Sequence, residues 1–222
     1  TQTIESSLEE LSSNQTQGLS QAEIPARIEK YGRNELIERG GRTAVQILWE
    51  QITATMVLIL IGAAVVAGLL GDTKNTIAIL SIVALYALLG FVQEYRAEQA
   101  IAALKKMSVP NVRVLRDGNL IEVSARELVP GDIIQLETGN VIPADLRLLE
   151  AVNLRIQEAA LTGESEAIEK HTVALSGDNS TGLEQALPLG DRRNLGYMGT
   201  IVTQGRGLAL VVATGMQTEL GK

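Results

Sequence analysis

Two long uncharged runs constrain this chain more than any other feature. Gln51 to Gly71 gives 21 residues without a charge, and Asn75 to Gln93 gives 19 more, with only Asp72, Thr73 and Lys74 between them. Crossing the hydrocarbon core of a bilayer takes about 20 apolar residues at about 1.5 Å each, so both runs read as membrane spans. A buried helix pair in a soluble protein is the competing reading, but two full-length charge-free runs are excessive for so small a core. A secretory signal fits poorly, because the first run starts at position 51.

A connector of three residues makes the two helices antiparallel and puts both flanks on one side. Arg33, Arg39 and Arg42 precede the hairpin and Arg96, Lys105 and Lys106 follow it, whereas the connector holds Lys74 alone. The positive-inside bias then predicts an integral membrane protein with residues 1–50 and 94–222 in the cytosol. Neither run contains Asp, Glu, Lys, Arg or His, so the hairpin itself offers no carboxylate for an ion or a proton relay. Beyond the second run, Phe91, Val92, Tyr95, Ala100, Ile101, Leu104 and Met107 keep a helical spacing, and no proline interrupts before Pro110. One helix from Asn75 to Met107 is therefore expected, about 50 Å long, with about 20 Å protruding as a stalk.

The flanks differ in texture. Residues 1–50 read as a short cytosolic helical segment: Ile4, Leu8 and Leu11 share a face, Ser20 to Glu23 has the form of a capping box, and Gly32 suits a helix end. From about Lys106 short β-branched runs alternate with turn signals. Val112–Arg116, Asp117-Gly118 and Asn119–Val123 predict a hairpin. Further strands are expected at 132–136, 146–149, 200–203 and 208–213, with turns at Gly139-Asn140 and Gly205-Arg206-Gly207, and 176–190 reads as a surface loop. The organisation predicted is a helical segment over 1–50, a transmembrane hairpin and stalk over 51–107, and a mainly-β domain over 108–222, a sandwich, jelly roll or distorted barrel.

Composition removes several chemistries. Nineteen Lys and Arg against 26 Asp and Glu leave a net charge of −7, which argues against a nucleic-acid surface. The absence of Cys excludes disulfides and thiolate metal sites, and a single histidine, His171, cannot build a His-rich zinc centre. No phosphate loop, G-x-G-x-x-G or H-E-x-x-H string occurs, so no nucleotide-cofactor or metal site is expected within these residues. What remains is Leu161-Thr162-Gly163-Glu164-Ser165. By itself it reads more readily as a turn with a solvated glutamate than as a functional site.

The wider pattern is more specific. Tyr31–Leu36, Gln93–Ala100, Leu128–Asp132, Gly139–Asp145, Leu161–Ser165, Met198–Thr200 and Thr214–Lys222 match, in order and spacing, the N-terminal part of type II P-type cation-transporting ATPases, the group of the calcium pumps. The chain resembles that family over nearly its whole length. The resemblance implies an ATP-driven cation pump, calcium the first choice of ion, whose actuator domain is the β region. It implies that Glu164 directs water onto an aspartyl phosphate, that Gly163 lets the backbone approach the phosphate, and that the hydroxyls of Thr162 and Ser165 fix the loop or contact it. ATP and Mg²⁺ are then bound outside this chain, by phosphorylation and nucleotide-binding domains of the same pump, and the lipid membrane is a further partner. The family's phosphorylated Asp-Lys-Thr-Gly-Thr string is absent, so these residues alone are expected neither to hydrolyse ATP nor to pump. Asp132 and Asp145, each in a proline-led turn, are expected to be structural, and His171 to lie at the surface or in a loop. A membrane-anchored β interaction domain without catalysis is the alternative, and a hydrolase using Glu164 alone lacks a second catalytic partner.

Overall fold

The computed structural model describes residues 3–36, 42–107, 109–163, 166–175 and 187–222. They belong to two compact units, one formed by 1–37 with 109–222 and the other by 38–108.

In the first unit, Asn111–Arg116 (β1) and Asn119–Ser124 (β2) form the expected hairpin. Its turn residues Asp117 and Gly118 have φ of 48° and 73°, the double left-handed geometry that matches strand twist. Ile133–Glu137 (β3), Asp145–Gln157 (β4), Ala167–Glu169 (β5), Leu195–Gly196 (β6) and Ile201–Ala213 (β7) complete a sheet ordered β2-β1-β3-β7-β4-β5, with β6 paired to β4. All these strand pairs are antiparallel.

Alternation along the strands gives the sheet two apolar faces. Ile134, Leu136, Leu146, Leu148, Ala209 and Val211 fill the main core. Their neighbours Ile133, Leu149 and Leu210 point the other way, and Ile4, Leu8 and Leu11 pack on them. The helix Ile4–Glu10 (α1) thus covers the second face with the stripe read from its sequence.

One expectation about the sheet is corrected. The predicted turn at 205–207 does not form; β7 runs unbroken through Gly205, Arg206 and Gly207. Its register against β4 shifts repeatedly, and a Cβ on Gly205 or Gly207 would lie 2.3 Å from the Asn153 or Glu150 carbonyl oxygen, respectively. The glycines mark close backbone approach within a bent strand instead of a chain reversal.

The N-terminal residues are sewn into the same unit. The Leu19 carbonyl accepts from Asp117 N–H at 3.1 Å, the Gln17 carbonyl from Gly118 N–H at 2.8 Å, and Leu19 is buried. Further on, buried Asn34 donates to the Ala125 and Pro143 carbonyls at 2.9 and 2.8 Å and accepts from Gly215 N–H at 2.9 Å. The capping box expected at Ser20 is only half realised. Ser20 N–H donates to the Glu23 carboxylate, but the helix Ile24–Tyr31 (α2) starts after Glu23, because Pro25 has no N–H for an earlier turn. Gly18 has φ 68°, and a Cβ there would sit 1.8 Å from the Leu115 carbonyl oxygen. Gly18→Ala is expected to peel this segment from the sheet, at a cost of about 3 kcal/mol or more from strain and clash together. Limited proteolysis should then cut within residues 3–36 of the variant and spare them in the parent chain.

The second unit is helical: Ala44–Ile52 (α3), Thr55–Leu69 (α4) and Thr73–Met107 (α5). A true capping box starts α3, with Gln46 N–H donating to the Thr43 hydroxyl and Thr43 N–H to the Gln46 side chain. The run from Gln51 to Gly71 is not one unbroken helix: α3 and α4 meet at a bend of 56°. Thr53 donates both its N–H and its hydroxyl to the Trp49 carbonyl, closing α3, and Ala54 is extended at ψ 135°. By contrast α5 is one continuous helix of 35 residues, about 50 Å long. No residue of its most apolar window is fully buried by protein, as is expected of a helix whose solvent is lipid. Asp72 caps its start, accepting from the Asn75 backbone N–H and side-chain amide.

Candidate functional site

The Leu161–Ser165 motif lies in the connection between β4 and β5. Strand pairing Gln157↔Ala167, Ile156↔Ile168 and Arg155↔Glu169 brings the two ends of that connection together. From Glu158 the chain makes one helical turn, Ala159–Thr162 (α6), closed by Gly163. The Glu158 carbonyl accepts from Leu161 N–H, Thr162 N–H and, at 3.1 Å, the Thr162 hydroxyl. Thr162 therefore contributes its hydroxyl to the fold of the loop. Gly163 has φ 75°, a left-handed helix end that suits glycine, and no atom of the described residues lies within 4 Å of its Cβ position. Glu164 and Ser165, the other two predicted site residues, lie outside the described residues, as does 176–186 of the predicted surface loop.

Beneath the loop is a group that motif reading missed. Glu158 Oε1 accepts from Lys170 Nζ at 2.6 Å, and both side chains are fully buried. Glu158 immediately follows β4 and Lys170 immediately follows β5, so the pair joins both roots of the motif-bearing connection. Burial pushes the Glu158 carboxyl up and the Lys170 ammonium down, each opposed by the charge of the other. Glu158 Oε2 has no hydrogen-bond partner among the described residues. The Tyr197 ring centroid lies 5.9 Å from Lys170 Nζ, and burial pushes the Tyr197 phenol up to about 12. Tyr197 in turn donates from its hydroxyl to the Leu189 carbonyl at 3.4 Å. Leu189 belongs with Thr162, Ile168, Asp191 and Arg193 to the wall of an open cleft of about 480 Å³ beside α6.

The two proline-led aspartates sit apart from this loop and serve the scaffold. Asp132 takes a bidentate pair from buried Arg116, Nε–Oδ1 at 2.9 Å and Nη2–Oδ2 at 2.7 Å, and accepts from Val129 N–H. Asp145 accepts from the N–H groups of Met198 at 2.9 Å and Glu219 at 2.7 Å, tying β4 to two distant segments. Burial pushes its carboxyl up, and those two backbone bonds hold it back in part. His171 lies just after β5, partly buried, with its backbone N–H donated to the Arg193 carbonyl. Among the described residues no group of three or more His, Asp or Glu side chains could hold a metal ion.

Comparison with known proteins agrees with this architecture. The P-type ATPase actuator domain matches residues 106–222, and the cation transporter/ATPase N-terminus matches residues 1–67. A calcium-transporting ATPase of Bacillus subtilis is 42% identical over 215 residues, 97% of this chain and 23% of the relative's length. Calcium-transporting ATPase 1 of Bacillus cereus is 40% identical over 220 residues, 99% of this chain and 24% of its own. A probable cation-transporting ATPase F of Mycobacterium tuberculosis is 36% identical over 212 residues, 96% of this chain and 22% of its own. The chain thus spans about a quarter of the length of the curated relatives it matches.

Proposed function

We propose, on the premise that this chain belongs to the P-type ATPases and carries their actuator domain, that it serves an ATP-driven calcium pump by promoting hydrolysis of the pump's aspartyl phosphate. The observation that carries the proposal is the Leu161–Ser165 motif in the actuator's β4–β5 connection, on a turn whose roots are fixed by strand pairing and a buried ion pair.

The chemistry asks little covalent work of the protein and much positioning. A water oxygen forms a bond to phosphorus as the bond to the aspartyl oxygen breaks; aspartate leaves and phosphate is released. Glu164 accepts the proton that the water gives up and aims its lone pair. Gly163 lets the backbone come close to the phosphoryl group, Thr162 holds the turn, and the Ser165 hydroxyl steadies the loop or the phosphate. ATP, Mg²⁺ and the phosphorylated aspartate belong to other domains of the same pump. The actuator brings its loop to the phosphate only after phosphorylation, and its movement is transmitted to the membrane helices, coupling hydrolysis to ion release. Calcium is the substrate favoured by the names of the relatives from the two Bacillus species.

The experiment is cation-dependent labelling of the intact pump with γ-labelled ATP. An acid-stable, hydroxylamine-sensitive phosphoenzyme should form with calcium and disappear on chelation. Equal labelling without calcium, supported by another cation, would refute calcium as substrate; failure to form any acyl phosphate would refute the pump itself.

A further inference from the structure

We infer that Glu158 and Lys170 are positioning residues for phosphoenzyme hydrolysis, a clamp that holds the β4–β5 connection in one presentation. The inference rests on the function proposed above and adds two residues outside the motif to it.

Three observations converge. The first is placement. Leu154, Ile156 and Glu158 share one face of β4 and its extension, and all three are buried. Lys170 lies opposite Leu154, its N–H donating to the Leu154 carbonyl at 2.9 Å. Its side chain reaches Glu158, the residue from which α6 starts. The pair therefore spans the stem and grips the turn at its first residue. The second is connection. The backbone carbonyl of the same Glu158 receives Leu161 N–H, Thr162 N–H and the Thr162 hydroxyl, so a shift of Glu158 moves the whole turn. From the other side, Lys170 meets the Tyr197 ring, and the Tyr197 hydroxyl reaches Leu189 on the wall of the cleft beside the loop.

The third observation is energetic. An ion pair this deeply buried seldom stabilises a fold more than apolar residues of the same volume. Here one carboxylate oxygen, Glu158 Oε2, also has no partner among the described residues. Burial disfavours both charges. Such a pair is poorly explained as a source of stability. A charge-assisted bond at 2.6 Å does, however, fix direction and distance in a way that dispersion contacts cannot.

The discriminating variant removes both charges together, because Glu158→Gln alone strands a buried ammonium and threatens the fold. In the intact pump carrying Glu158→Gln with Lys170→Met, phosphorylation by ATP should proceed at the parent rate. Decay of the phosphoenzyme should slow by about 10- to 100-fold, the scale of a loop displaced by about an ångström. Decay at the parent rate overturns the inference, and so does equal slowing of both steps or loss of folded protein, which marks a purely structural pair. A parallel Glu164→Gln pump separates the two levels. If it stalls decay while the paired variant does not, only the clamp is wrong; if neither stalls, the function proposed for the loop falls with it.

Discussion

Glu164→Gln should trap the intact pump in its phosphorylated form. Glutamine keeps the size of the side chain and can still hydrogen-bond a water molecule, but it cannot take the proton that the water must lose on attacking phosphorus. General-base assistance is worth about 10²- to 10⁴-fold, so decay of the phosphoenzyme should slow by that factor. In the proposed mechanism phosphorylation by ATP uses the aspartate of another domain as nucleophile and needs no such base from the actuator, so its rate should hold. Quenched-flow labelling followed by an unlabelled chase reads both steps in one preparation. The expected outcome is a phosphoenzyme level near one per pump with steady-state turnover nearly abolished. Thr162→Ala should be milder, because it removes a hydroxyl that bonds the Glu158 carbonyl at 3.1 Å within the turn and no acid–base group.

The second large effect concerns folding. Asp132→Ala would leave the Arg116 guanidinium buried with its bidentate partner gone; the two side chains are 0% and 2% exposed. Removing one member of a buried pair costs about 3–5 kcal/mol, against a total stability of about 5–15 kcal/mol for a domain. The melting temperature of the actuator should fall by on the order of 10 °C. The double change Arg116→Met with Asp132→Leu removes both charges and should recover most of that loss. An unchanged melt in the single variant would show that the bond Arg116 already donates to the Glu127 carbonyl, at 3.1 Å, suffices for the buried cation.

How far the sequence foretold this structure depended on the range of the forces involved. Local patterns were readable: the Ile4, Leu8, Leu11 stripe, the Asp117-Gly118 turn, and the charge-free runs, whose composition marks a lipid environment whether or not the helix is straight. The break at Thr53-Ala54 carried no proline or glycine, and it depends on a threonine bonding back to Trp49. Glycines at 205 and 207 looked like a turn because their other use, close crossing of two long strands, needs the partner strand to be known. Long-range ties were invisible for the same reason. Asn34 reaches residues 91, 109 and 181 positions away. At the candidate site, the motif marked the turn but not its support. Alternation of Leu154, Ile156 and Glu158 was a usable signal that Glu158 faces inward, and a buried glutamate asks for a cation; Lys170 becomes its partner only once β4 and β5 are paired.

The central claim, that Glu164 delivers water to the acyl phosphate, is tested most directly by oxygen exchange. Hydrolysis run in reverse makes the phosphoenzyme from inorganic phosphate and releases water, so the intact pump should scramble ¹⁸O between medium phosphate and solvent. Exchange by the Glu164→Gln pump should fall by the same factor as phosphoenzyme decay, since the base that takes the proton forward must return it in reverse. Exchange at the parent rate in that variant would contradict the account.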